Sequence, residues 1–390
     1  MTTVAVRSIP FGRPLLGDEE KRAVLEIISN PILVHGPRAE QFERDFATFC
    51  DAPYAVTAAN CTAAMHLVWF VRGLKQGDEV IVPAQTHVAT AHAVELAGGT
   101  PVFVDAEKDT GNVNVALVEA AITDRTRAIA VVHYLGYPVD LAPIVALAKK
   151  RGLFVMEDCA LAIGTYRDGI HAGLIGDVGC FSFYPVKHMT TGEGGMVITR
   201  DQDLAARVRH QRAFGVDRSH GERSVPGVYD VVKLGFNYRM NEIAAGIGIE
   251  QVKRLPDFLA RRRENFNVLR RGLAQIDEIE IMPGQDDKPP DQVNSCYCLS
   301  AVLKPQFLDK RLEIVDELKA AGIGTSVYYP RPVPFMTYYR ERYGHADGAF
   351  PVADWISRGS ISLPVGPHVT PDDMVYIVDR LKAAVRRVLS

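Results

Sequence analysis

The chain has 390 residues, 47% of them hydrophobic and 23% charged, with a formal net charge of −3. That length asks for roughly two domains rather than one small core, and the near-neutral balance argues against nucleic acid as the main partner, which would want a basic surface. No apolar run reaches the roughly 18 residues of a membrane span, and residues 1–10 lack the apolar centre of a signal peptide. Six scattered cysteines form no disulfide framework, so a reducing cytoplasm is the default expectation.

From residue 54 to 199, short β-branched runs alternate with helical stretches. Strands are predicted at 54–57, 79–82, 101–104, 128–132, 153–156, 180–183 and 196–199. The segment 140–151 is typical of what lies between them, with Leu141, Ile144, Val145 and Ala148 on one face and Gly152 as its stop. Strand, helix, strand at this spacing implies crossover units and a mostly parallel sheet, and ligands of such sheets sit beyond the carboxyl ends of the strands.

After about Asn241 the pattern changes. Helices are predicted at 242–255 and 258–273, strand-like runs at 295–303 and 325–329, and a polar, Pro-rich surface loop at 283–292. The last helix is well marked. Thr370 caps it, Pro371 takes the first turn, and Met374, Ile377, Val378, Leu381, Val385 and Val388 form one apolar stripe. The expectation is an α/β fold with a large domain over 1–245, including an N-terminal arm, and a smaller α+β domain over 246–390. Cys296 and Cys298 would share a face in a strand, but no second pair accompanies them, so no metal site is expected.

Four features could carry chemistry. The densest is Gly179-Cys-Phe-Ser-Phe-Tyr-Pro-Val-Lys-His-Met-Thr-Thr-Gly-Glu-Gly-Gly195, a strand followed by a proline turn that delivers Lys187 between two strands. Desolvated there, the amine would lose charge and become a nucleophile fit for a Schiff base; the plainer alternative is a solvated loop cation. The second is Glu157-Asp-Cys-Ala160, which sets Asp158 at a strand end facing the ligand crevice. It could keep a pyridinium nitrogen protonated or simply cap a helix. The third is Ala59-Asn-Cys-Thr-Ala-Ala-Met-His66, small residues opening a helix whose free amides make a phosphate cup. The fourth is Pro83-Ala-Gln-Thr-His-Val-Ala-Thr90, where His87 could stack on a flat ring. Dinucleotide-binding, Walker, zinc-protease and Gly-x-Ser-x-Gly motifs are missing.

These segments, with Gly176-Asp-Val-Gly179, Leu234-Gly-Phe-Asn-Tyr-Arg-Met-Asn241 and Ser360-Ile-Ser-Leu-Pro364, resemble the DegT-type sugar aminotransferases of the aspartate-aminotransferase fold (fold type I) over essentially the whole chain. The resemblance implies a large domain with a mostly parallel seven-stranded sheet. It implies pyridoxal 5′-phosphate (PLP) joined to Lys187, with Asp158 on the ring nitrogen, and Cys61, Thr62 and Ser182 on the phosphate. His87 would stand where a stacking aromatic is usual. Asn237 would reach the phosphate from the other subunit of a homodimer with shared sites.

The substrates implied are a keto sugar, nucleotide-linked, and L-glutamate, in amino-sugar biosynthesis. Arg218, His220, Arg223, Tyr329 and Arg331 are candidate substrate contacts. Two departures stand out: Leu161 takes a position where Gln or His is common, and Pro334 replaces a histidine in Tyr329-Pro-Arg-Pro-Val-Pro334. Two alternatives stay open, a PLP-dependent sugar dehydratase and a non-catalytic regulatory protein of the same fold. Against the first, Lys187 occupies the position where the dehydratase branch has histidine.

Overall fold

The computed structural model describes residues 7–217, 228–282 and 291–389. Helices α1 (Asp18–Ile28) and α2 (Pro37–Cys50) precede an alternating series. It runs β1 (Tyr54–Ala58), α3 (Cys61–Val71), β2 (Glu79–Pro83), α4 (Val88–Leu96), β3 (Thr100–Val104), α5 (Val115–Ala120), β4 (Thr126–Val132), α6 (Ala142–Arg151) and β5 (Phe154–Asp158). The short strands β6 (Tyr166–Arg167) and β7 (Ile170–His171) lead to β8 (Val178–Ser182), β9 (Gly195–Thr199) and α7 (Gln202–Gln211). All seven long strands fall where β-branched and apolar runs predict them.

They form one sheet in the order β1-β9-β8-β5-β4-β2-β3. Pairing is parallel except along β9, which runs against both β1 and β8. The carboxyl ends of β1, β8, β5, β4 and β2 therefore share one edge with the start of β9. Ala58 and Ser182 both pair with Gly195, and Asp158 pairs with Cys180 and Val132. Both faces of the sheet are covered by apolar side chains, as a parallel sheet requires.

Helix α8 (Glu242–Leu273) is continuous, where the sequence suggested two helices broken near Pro256. A proline inside a helix removes one hydrogen bond, yet Val252, Leu255 and Phe258 are buried on either side of it, and that packing carries the helix through. Its later turns join a second core with β10 (Ile279–Met282), β12 (Leu299–Leu303), α9 (Arg311–Ala320), β13 (Ser360–Leu363) and α12 (Pro371–Leu389). β10, β12 and β13 make a three-stranded antiparallel sheet, while β11 (Gln292–Val293) pairs with β6. Helices α10 (Thr337–Tyr343) and α11 (Pro351–Gly359) complete the chain. Ile9 also packs in this second core and bridges Ile323.

Three sequence expectations are corrected here. Residues 325–329 form no strand, only a single bridge from Ser326 to Ser362, and Pro330, which has no backbone N–H to pair, follows them. The run at 295–303 is a strand only from Leu299. Cys296, with φ 54°, and Cys298 both precede it, so they share no strand face. Most of the loop at 283–292 lies outside the described residues; Gln292, at its end, belongs to β11. The cap of α12 is as expected: Thr370 Oγ1 and the Asp373 carboxylate bond each other's backbone amides.

Candidate active site

A cavity of about 530 Å³ opens at the carboxyl edge of the large sheet, lined by Asp158, Lys187, Cys61, Thr62, Ser182, His87 and Tyr329 among others. All but Tyr329 lie at or just beyond a strand end of this sheet. β8 ends at Ser182, and five residues later Lys187 enters the cavity from a turn closed by its amide on the Tyr184 carbonyl, 2.9 Å. The Gly192–Gly195 turn then brings β9 against the start of α3. A Cβ on Gly195 would lie 2.5 Å from the Asn60 carbonyl, so only glycine lets the two backbones meet.

Lys187 is half-buried as a residue, with its Nζ 5.3 Å from the centre of the Tyr297 ring. Burial lowers its pKa from the ordinary lysine value, and the nearby Asp158 carboxylate pulls the other way. The result is an amine more readily deprotonated than a surface lysine, held beside an acid. Asp158 is 3% exposed and accepts from Thr90 Oγ1 at 2.7 Å and from the Ala160 amide at 3.0 Å.

Helix α3 begins at Cys61. Asn60 caps it by accepting from the Ala63 amide at 2.8 Å, which leaves the first-turn amides of Cys61 and Thr62 without intrahelical partners. With the Ser182 hydroxyl on the same cavity wall, they form a seat for an anion. Burial pushes the Cys61 thiol well up, so this residue offers its amide rather than a thiolate. His87 caps α4 through Ala89, and its ring meets the Tyr329 ring edge-on at 5.9 Å. Burial and Lys187 both lower its pKa, which favours the neutral imidazole.

Other predicted residues fall elsewhere. Asn237 is exposed and does not line this cavity, nor does Arg331, which is also exposed. Arg218, His220 and Arg223 lie outside the described residues. Leu161 is buried on the cavity wall, and Pro334 is buried in a short 3-10 turn away from it. The sequence reading missed Thr86 and Thr90, although both stood in a quoted motif; their spacing of four, straddling a helix start, was the available signal. It also missed Tyr297, which carries no sequence signal.

His133, Glu157 and Cys159 are the one group with metal-ligand spacing among the described residues. The donor atoms of His133 and Glu157 are already used. The Glu157 carboxylate accepts from the amides of Gly173, Ile175 and Gly176 at 2.8, 2.9 and 2.6 Å. The Val139 amide donates to His133 Nδ1, so Nε2 carries the proton and donates to Glu157 at 2.9 Å. This is a fold-locking network.

A buried amine, a carboxyl group, an anion seat and a ring-sized space between them fit a flat aldehyde that carries a phosphate and a ring nitrogen. With a mostly parallel seven-stranded sheet beneath them, they define the fold-type-I aminotransferases. Residues 14–382 match the model of the DegT/DnrJ/EryC1/StrS aminotransferase family, and the chain belongs to that family. It is 35% identical to GDP-perosamine synthase of Escherichia coli O157:H7, over 96% of this chain and 98% of that one. Among solved structures, the PLP form of the putative sugar aminotransferase Spr1654 from Streptococcus pneumoniae superposes with a TM-score of 0.91 at 27% identity, covering 98% of this chain and 100% of that one. PseC of Helicobacter pylori, an aminotransferase involved in the biosynthesis of pseudoaminic acid, superposes at 0.90 with 25% identity, covering 98% and 100%. Membership in an aminotransferase family closes the non-catalytic alternative.

Proposed function

We propose that this enzyme transfers an amino group from an amino acid, L-glutamate, to a nucleotide-linked keto sugar in amino-sugar biosynthesis, with PLP as cofactor. The observation that carries the reading is the burial of the Lys187 amine beside Asp158 in one cavity. The named activities of GDP-perosamine synthase and PseC support the sugar as acceptor.

Lys187 holds the cofactor through its Nζ, and Asp158 pairs with the ring nitrogen. The Cys61 and Thr62 amides and the Ser182 hydroxyl take the phosphate, and His87 lies against the ring. When bound, the cofactor supplies an electron sink for the carbon that bears the nitrogen. The work of the protein is then proton handling and placement. With the cofactor bound, Lys187 Nζ would take the proton from the donor's α-carbon and return one to the sugar carbon, acting as base and then acid. Its lowered pKa suits the base role. The Asp158 carboxylate would face the ring nitrogen and favour its protonated form. Tyr329, buried on the cavity wall, faces the substrate, and Arg218, His220 and Arg223 are assigned to its anionic groups.

Asn237 reaches the phosphate of a second subunit in a homodimer. Its exposure supports this, as does the surrounding apolar surface of Val231, Val232 and Leu234. The chain divides into a large cofactor domain (1–245) and a small domain (246–390), a division supported by the second core around β10, β12 and β13. All six cysteines are buried and none is joined in a disulfide, which supports a reducing cytoplasmic compartment, and no described helix is long and apolar enough to cross a membrane.

Mass spectrometry of products from glutamate and a panel of keto sugar nucleotides tests this. Expected are 2-oxoglutarate and an amino sugar in equal amounts. A dehydrated sugar without nitrogen would overturn the reading in favour of dehydration.

A further inference from the structure

An ionised carboxylate only accepts hydrogen bonds, so the 2.7 Å contact between Thr90 Oγ1 and Asp158 Oδ2 uses the single hydroxyl proton of Thr90. Thr86 Oγ1 lies 2.7 Å from Thr90 Oγ1, and with that proton committed, Thr86 must be the donor. The two hydroxyls thus form a chain polarised toward the carboxylate, each strengthening the next. Both threonines are 0% exposed, so no solvent competes for these bonds.

The chain is also stiff. Thr86 ends the segment that follows β2, His87 caps α4, and Thr90 sits in the first turn with its amide on the His87 carbonyl at 3.1 Å. The other carboxylate oxygen receives the Ala160 amide. Each oxygen therefore holds one donor and keeps a lone pair. Neither threonine lines the cavity, so whatever they do there passes through Asp158.

We infer that Thr86 and Thr90 are positioning residues, which hold the Asp158 carboxylate fixed in direction for a protonated ring nitrogen. The inference rests on the reading of Asp158 given above. Thr90→Val keeps the side-chain shape and removes the donor. In a dry site, the orphaned oxygen is then free to rotate away, which weakens its hold on a cationic nitrogen.

The test is the PLP affinity of the apoprotein, measured for wild type, Thr90→Val, Thr90→Ser, Thr86→Val, Asp158→Ala and the Asp158→Ala/Thr90→Val double variant. Loss of a charge-assisted bond predicts about tenfold weaker PLP binding for Thr90→Val, recovery in Thr90→Ser, and a smaller loss in Thr86→Val. In the Asp158→Ala background, Thr90→Val should change nothing further. With saturating PLP, Thr90→Val should lower kcat and leave the donor KM in place. Wild-type affinity in Thr90→Val, alongside weakened binding in Asp158→Ala, would overturn this inference alone. A further loss in the double variant would overturn it too, by showing a merely structural role. Wild-type affinity in Asp158→Ala would instead remove the reading of Asp158 beneath it.

Discussion

Glu157 and Asp158 are adjacent carboxylates at the end of one strand, and alternation along that strand sends them to opposite faces. Asp158 reaches the cavity with one hydrogen bond per oxygen. Glu157 is 0% exposed and takes three backbone amides from the 173–176 segment together with the His133 proton. The first is arranged for a ligand and the second for the fold. Glu157→Ala leaves those donors buried and unmet, so a loss of roughly 3–5 kcal/mol in unfolding free energy is expected. A chemical denaturation midpoint measures it, and a midpoint equal to wild type would contradict this division of labour. The sequence flagged Asp158 because its position beyond a strand was readable. Thr90 and Tyr297 take their relevance from contacts 68 and 110 positions away, with Asp158 and Lys187; the spacing of Thr86 and Thr90 hinted at the first, and no local pattern encodes the second.

At the scale of elements, the seven long strands were legible because each is a short apolar run bounded by turn residues, which is what burial on both faces demands. Helix α8 and residues 325–329 were not. Buried packing carries α8 through a proline, whereas residues 325–329 make a single bridge despite a β-like composition. The meeting of β9 with α3 depends on the absence of a single side chain. Gly195→Ala would set a methyl 2.5 Å from the Asn60 carbonyl and 2.8 Å from the Cys61 nitrogen. Backbone there cannot yield cheaply, so a stability loss of about 1–3 kcal/mol is expected, with weaker PLP binding because the anion seat moves. Calorimetry of apo and PLP-loaded protein separates the two effects. The alanine variant should gain less from PLP than wild type does.

For the whole molecule, buried histidines set the acid limit. His171 donates from Nδ1 to the Ala172 carbonyl and accepts from the Gly164 amide at Nε2, so it has no free site for a second proton. Burial depresses its pKa from 6.5 to about 4. The unfolded chain then binds a proton between those values and the folded chain does not. Stability present above pH 6.5 is therefore lost as pH falls toward 4, by roughly 3 kcal/mol from this residue. His171→Gln, which can mimic both hydrogen bonds, should flatten the stability profile over that window. An unchanged slope would place the acid sensitivity elsewhere.

The account turns on one amine. Borohydride reduction of the PLP-loaded enzyme followed by peptide mapping fixes the cofactor where it is attached. The label is expected on Lys187 and lost in Lys187→Ala, whose circular dichroism should match wild type. A label on any other lysine, or undiminished labelling of the alanine variant, would contradict the assignment of this cavity.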